Sequence, residues 1–242
     1  MSDARNSELL ARSFERRAFA DIGHADHGWL KAAHHFSFAE HYDPANMGWG
    51  NIRVWNDDEI APHSGFPPHP HRDMEIITYV RDGAISHRDS LGNEGRTAAG
   101  EVQVMSAGTG ITHAEYNRED ETTRLFQIWV LPRRTGIAPR WDLQALAEDA
   151  APGFRVLASG YGEPDALAIE ADARLLVGRF AKGEAVAIEI AAERFGYAVA
   201  TRGRFELDGQ PFDARDGLKV RGGNRLMLRP LSDCEIVMVD SA

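Results

Sequence analysis

The sequence predicts an all-β protein built from two tandem barrel-like modules, and three observations carry that expectation. Short runs rich in β-branched and aromatic residues recur at roughly ten-residue spacing, each closed by Gly, Asp or Asn, as in sandwiches and barrels. Pro62, Gly65, Pro67, Pro68 and Pro70 exclude a helix from the stretch richest in potential ligands. The 242 residues, 43% hydrophobic and 26% charged, suffice for two ordered modules of ordinary globular composition.

Taken in order, residues 1–11 are polar apart from Leu9 and Leu10 and are expected to form a mobile lead-in. A strand is placed between Ser13 and Ile22. His24, His27, His34, His35 and His41 follow at irregular spacing without an accompanying carboxylate pattern, and are expected to be loop or surface histidines. From Gly50 the strand signal strengthens. Ile52-Arg-Val-Trp55 alternates, Asn56-Asp-Asp58 is a turn, and Ile76-Ile-Thr-Tyr-Val80 is a strand closed at Arg81-Asp-Gly83 by a hairpin turn. Ala84–Ser90 returns, Leu91-Gly-Asn93 turns, and Val102-Gln-Val-Met105 runs forward. Leu125–Leu131 is apolar on both faces, as a central barrel strand would be, and Pro132 ends it. Residues 132–139 form the expected linker, Trp141–Glu148 a short helix, and the remainder a series of short strands from Leu167 to Val239 with a turn at Asp208-Gly209.

The chemistry is concentrated in two stretches, Gly65-Phe-Pro-Pro-His-Pro-His-Arg-Asp-Met-Glu75 and Gly108-Thr-Gly-Ile-Thr-His-Ala-Glu-Tyr-Asn117. Residues two apart on a strand share a face, roughly 7 Å apart. His69 and His71 can therefore turn both imidazoles toward one ion. His113 and Glu115 on a neighbouring strand would complete a site of three nitrogens and one carboxylate. Glu75 is a competing carboxylate, because strand parity places it on the face of His69 and His71. Three imidazoles and a carboxylate without thiolate suit iron, manganese, nickel, cobalt, copper or zinc.

All ten histidines lie at or before residue 113, and the remaining 129 residues contain none. Only the first module can hold a histidine-ligated metal. The second is expected to be a structural, pocket-covering or partner-binding copy. The formal charge of −10, from 37 acidic against 27 basic residues, disfavours a phosphate-backbone partner and hence direct nucleic-acid binding. The lone Cys234 cannot form an intramolecular disulfide and is expected to be a buried thiol. With no secretion signal and no apolar run long enough to span a bilayer, a cytoplasmic protein without membrane contact is expected.

The two stretches resemble the cupin superfamily and, in detail, the pirin family of bicupins. The generic cupin pattern sets five residues between its glycine and His-x-His, where Gly65 has three; it sets six between Glu and the next glycine, where Glu75 has seven before Gly83. In the second motif Ser106 stands where cupins have proline, and Thr109-Gly110 is inserted before Ile-Thr-His113. Pirin blocks look much like His69-Pro-His-Arg-Asp-Met-Glu75 and Met105–Glu115. Gly28-Trp29, Phe36–Ala39, Tyr42-Asp-Pro44, Ile52-Arg-Val54, Asn56-Asp-Asp58, His87–Ser90 and Gln127-Ile-Trp129 also look like pirin positions, so the resemblance is strong from about residue 20 to 132.

The resemblance implies two tandem cupin barrels, at residues 1–135 and at 136–242, the second degenerate and without a metal site. It implies His69, His71, His113 and Glu115 as ligands of one divalent metal, Fe(II) before the others, with Glu115 also the catalytic base and Glu75 a supporting carboxylate. His87 is expected to support the site or pack in the core rather than to be a fifth ligand; Gln127 and Trp129 are placed to line the barrel mouth, with plain packing the commoner role of an aromatic residue in such a strand. The implied activity is quercetin 2,3-dioxygenase chemistry on a flavonol and O2 with release of carbon monoxide, in a monomer. The alternative is a redox-responsive regulatory protein acting through a protein partner.

Overall fold

The computed structural model describes residues 14–145, 153–223 and 225–242. The expected lead-in at 1–11 lies outside the described residues. The first half contains β1 (Phe14–Arg17), β2 (Gly23–Asp26), β3 (Leu30–His34), β4 (Ile52–Ile60), β5 (Ser64–His71), β6 (Glu75–Asp82), β7 (Ala84–Asp89), β8 (Glu94–Ala98), β9 (Glu101–Ser106), β10 (Ile111–Asn117), β11 (Thr123–Val130) and β12 (Arg140–Ala145). The second contains β13 (Gly153–Ser159), β14 (Leu167–Ala168), β15 (Ala173–Phe180), β16 (Val186–Glu189), β17 (Phe195–Arg202), β18 (Phe205–Leu207), β19 (Gln210–Phe212), β20 (Gly217–Arg221), β21 (Arg225–Pro230) and β22 (Cys234–Ser241). Among the described residues no helix is long and apolar enough to cross a membrane.

The same plan occurs twice, which makes the chain an all-β bicupin. A seven-stranded sheet, β12-β9-β6-β11-β4-β3-β2, is covered by the four-stranded β5-β10-β7-β8; a second, β1-β20-β17-β22-β15-β13-β14, is covered by β16-β21-β18-β19. β1 pairs with β20 in the second sheet, and β12 pairs with β9 in the first.

Strand alternation assigns each face its task. On β11, Phe126, Ile128 and Val130 join Trp55, Ile77 and Tyr79 in a cluster that packs against Leu175, Val177, Tyr197 and Val237 of the other barrel. Leu125, on the other face, packs inside the first barrel with Ile60, Val80 and Ile85. The strand is apolar on both faces because both are buried. Each large side chain so buried contributes about 1.5–3 kcal/mol. At the rim of this interface Asp57 is held between Arg81 and Arg215, the latter at 2.6 Å.

Several expectations change here. The segment from Trp141 is strand β12, paired with β9 from Arg140↔Ser106 to Ala145↔Glu101, while 146–152 lie outside the described residues. An open sheet edge overrides its helix propensity. Gly83, at φ 73°, does reverse the chain, but β6 and β7 do not pair. The chain turns a corner between sheets there, whereas Leu91-Gly-Asn93 closes a true β7–β8 hairpin. His24 and His27 are exposed, but His34 and His35 are buried. His34 Nδ1 donates to Asn56 Oδ1 at 2.8 Å, and His35 meets the Tyr197 hydroxyl at 2.8 Å between the barrels. Cys234 is buried, and burial pushes its thiol up to about 11.

Candidate metal centre

The centre is assembled on the four-stranded sheet of the first barrel. β10 pairs with β5 so that His113 lies opposite His69, and with β7 so that Glu115 lies opposite His87. Between His113 and Glu115 the β5 register slips, Glu115 falling opposite Phe66. Pro67 and Pro68 occupy this bulge, where a residue without an N–H costs no ladder bond. The alternating burial of β10 turns His113, Glu115 and Asn117 inward. Gly65 permits the close approach, since a Cβ there would stand 2.2 Å from the Glu115 carbonyl oxygen.

Donor atoms of His69, His71 and His113 lie within 4.8 Å of one another. His69 and His113 have ring centroids 4.4 Å apart. His69 Nδ1 sits 2.8 Å from the Pro67 carbonyl, so it donates there and leaves Nε2 with its lone pair free. His113 Nε2 is buried without a hydrogen-bond partner among the described residues. Burial, with the neighbouring His69, lowers His71 to about 4, and burial with His69, His71 and His87 lowers His113 to about 2. Both rings are neutral at physiological pH, the form a metal requires. An orphaned buried nitrogen facing two further imidazoles fits a first-row transition metal.

Glu115 forms a second group with His113 and His87, all three buried, again with donor atoms within 4.8 Å. His113 is common to both groups. Glu115 Oε1 accepts from Gln103 Nε2 at 2.6 Å and Oε2 from Gln127 Nε2 at 2.9 Å. Burial raises its carboxyl, which His87, His69 and the two amides oppose. His87 Nε2 meets Asp89 Oδ2 at 3.0 Å and its Nδ1 lies 3.4 Å from His113 Nδ1. Burial works against the Asp89 carboxylate, but hydrogen bonds from His87 and Asn93 hold it below its usual range.

Glu75 stands elsewhere. The chain leaves β5 at His71, turns through Asp73 at φ 48°, and enters a different sheet, so strand parity does not carry across. Glu75 pairs with Ser106 and Val130, on the interface-facing side of β6, and accepts from Ser106 Oγ at 2.7 Å. Trp129 does border the site, edge-on to His71 at 5.0 Å. The sequence alone gives no site role to Gln103, Thr78 or Trp141. For Gln103 and Thr78 the available signal is a lone polar residue between apolar neighbours in a strand, as in Val102-Gln-Val104 and Ile77-Thr-Tyr79.

This arrangement can be set beside known proteins. The family model described as Pirin matches residues 15–130, and that described as quercetinase C-terminal cupin domain matches 156–241. A pirin-like protein of Caulobacter vibrioides is 55% identical over 94% of this chain and 99% of its own length. The chain belongs to the pirin family. A protein named quercetin 2,3-dioxygenase from Escherichia coli K12 is 41% identical over 90% of this pirin and 94% of its own length. The crystal structure of the bacterial pirin YhhW of Escherichia coli in complex with nickel(II) has a TM-score of 0.89 at 39% identity, covering 94% of this chain and 98% of that one. Pirins of this kind thus include a metal complex on the same fold.

Proposed function

We propose that this pirin is a metal-dependent dioxygenase that opens flavonols such as quercetin, with His69, His71, His113 and Glu115 holding one divalent metal, Fe(II) in the native protein. The observation that carries the reading is the convergence of three imidazoles beside a buried carboxylate, in a chain 41% identical to a quercetin 2,3-dioxygenase. When bound, the metal supplies Lewis acidity toward the substrate oxygen and a template for O2.

The protein's own residues account for the rest. Glu115 accepts the proton of the flavonol 3-hydroxyl, and burial makes it a stronger base than an exposed carboxylate. Trp129 and Phe38, edge-on to each other at 5.5 Å, give the aromatic rings of a substrate an apolar wall beside His71. The test is to incubate Fe(II)-loaded protein with quercetin in air and measure carbon monoxide. Carbon monoxide matching the O2 consumed is expected, with turnover lost in Glu115→Gln. No product with any first-row metal would overturn the reading in favour of a regulatory protein.

A further inference from the structure

Each oxygen of Glu115 accepts a hydrogen bond from a glutamine, and each glutamine is in turn held by a tryptophan. Gln127 Oε1 accepts from Trp129 Nε1 at 3.3 Å, and Gln103 Oε1 accepts from Trp141 Nε1 at 3.3 Å and from the Thr97 hydroxyl at 2.9 Å. We propose that Trp129 and Trp141 are positioning residues that fix the Glu115 carboxylate through Gln127 and Gln103.

Donor and acceptor chemistry fixes how each amide sits. An ionised carboxylate only accepts and an indole N–H only donates, so an amide between them satisfies both in one orientation alone: NH2 toward the carboxylate, carbonyl toward the indole. Turned over, the amide would set its oxygen against the carboxylate and its NH2 against the indole N–H. In a buried site both contacts are costly. Without its indole, Gln127 keeps a reason to face Glu115 but loses the lock on its far end, whereas Gln103 loses one of two donors there and keeps the Thr97 hydroxyl.

Each indole also touches a histidine of the site. Trp129 lies edge-on to His71, and Trp141 stacks on His87 at 4.7 Å with an interplanar angle of 8°. Trp141 packs so tightly over Gly95 that a Cβ there would stand 2.2 Å from its ring. It belongs to β12, the edge strand reached through the connection between the barrels. The strand that follows residues 132–139 therefore completes the support of Glu115.

This inference rests on the reading of Glu115 as a ligand, and the test separates the two. Ni(II) affinity is measured by competitive titration for Trp129→Phe, Trp141→Phe, Gln127→Leu, the Trp129→Phe/Gln127→Leu double variant and Glu115→Gln. Visible absorption of the Co(II) forms and thermal melting of the metal-free proteins are recorded alongside. Phenylalanine keeps the ring and removes the N–H. Each tryptophan change is expected to weaken Ni(II) by about 10-fold and to shift the Co(II) bands, the range seen when partners of metal ligands are lost. The double variant is expected to bind no more weakly than Gln127→Leu alone, because Trp129 acts through Gln127. Affinity within about twofold of wild type in both tryptophan variants, or additive losses in the double variant, would overturn the inference. If Glu115→Gln also binds normally, the ligand assignment itself falls; if it alone is impaired, only the positioning role falls.

Discussion

One register line crosses the middle of the first barrel's large sheet through Gln103, Thr78, Gln127, Asn56 and His34, all directed inward. The matching line across the second barrel's sheet runs through Val156, Leu176, Met238, Ala198 and Leu218. Among the described residues the second interior holds a large apolar cluster, in which Phe205 and Phe212 stack 4.8 Å apart. The first gives up that packing to hold amides and a hydroxyl near a buried carboxylate. The difference teaches that one fold can assign stability to one copy and chemistry to the other, since polar interiors are tolerated only where their hydrogen bonds are satisfied.

The largest effect that would break this division is on metal. His113→Ala is expected to abolish Ni(II) binding, measured as metal equivalents per chain after desalting, because His113 belongs to both donor groups. A retained equivalent would mean that another part of the chain holds it. Next in size, Phe205→Ala empties the second barrel's core and is expected to cost about 3–5 kcal/mol in denaturant unfolding. Ni(II) affinity of its folded fraction should be unchanged.

A reciprocal exchange of character sharpens the comparison further. Met238→Gln places an amide in an apolar interior and is expected to destabilise by about 1–3 kcal/mol. Gln127→Leu in metal-free protein leaves Glu115 Oε2 and Trp129 Nε1 without that partner and is expected to cost a comparable amount, about 1–3 kcal/mol. No loss from either change would contradict the division. The last effect is a slope in pH. Burial, reinforced by Asp57 and Glu115 and opposed by Arg81, pushes Asp58 up to about 8. A carboxyl raised in the folded state contributes stability that is full below its unfolded value near 4 and is lost as pH rises through 8, by up to about 1.4 kcal/mol per unit. Melting of the metal-free protein should therefore fall between pH 5 and 8, and Asp58→Asn should flatten the fall. An unchanged slope would show that Asp58 is ionised in the fold.

What sequence could show was set by periodicity. The His69–His71 pair was legible because two residues define a face of a strand, and the ten histidines ending at His113 located the chemistry in one half. The pairing of β1 with β20 and of β12 with β9, the bulge that re-aims Glu115, and the change of sheet that removes Glu75 from its histidines depend on pairings between distant strands. So does the burial of His34, which follows from its register with Asn56. The polar line was visible only as isolated residues, because nothing local says that Gln103 and Gln127 will meet. Trp141 was obscured by a segment whose local composition favours a helix and whose partner strand lies about forty residues earlier.

Anomalous scattering from crystals of the Ni(II)-loaded protein tests the central claim most directly. The account predicts one strong peak per chain within bonding distance of His69, His71, His113 and Glu115, and none in the second barrel. A peak bonded to Glu75, or one that leaves Glu115 uncoordinated, would contradict it.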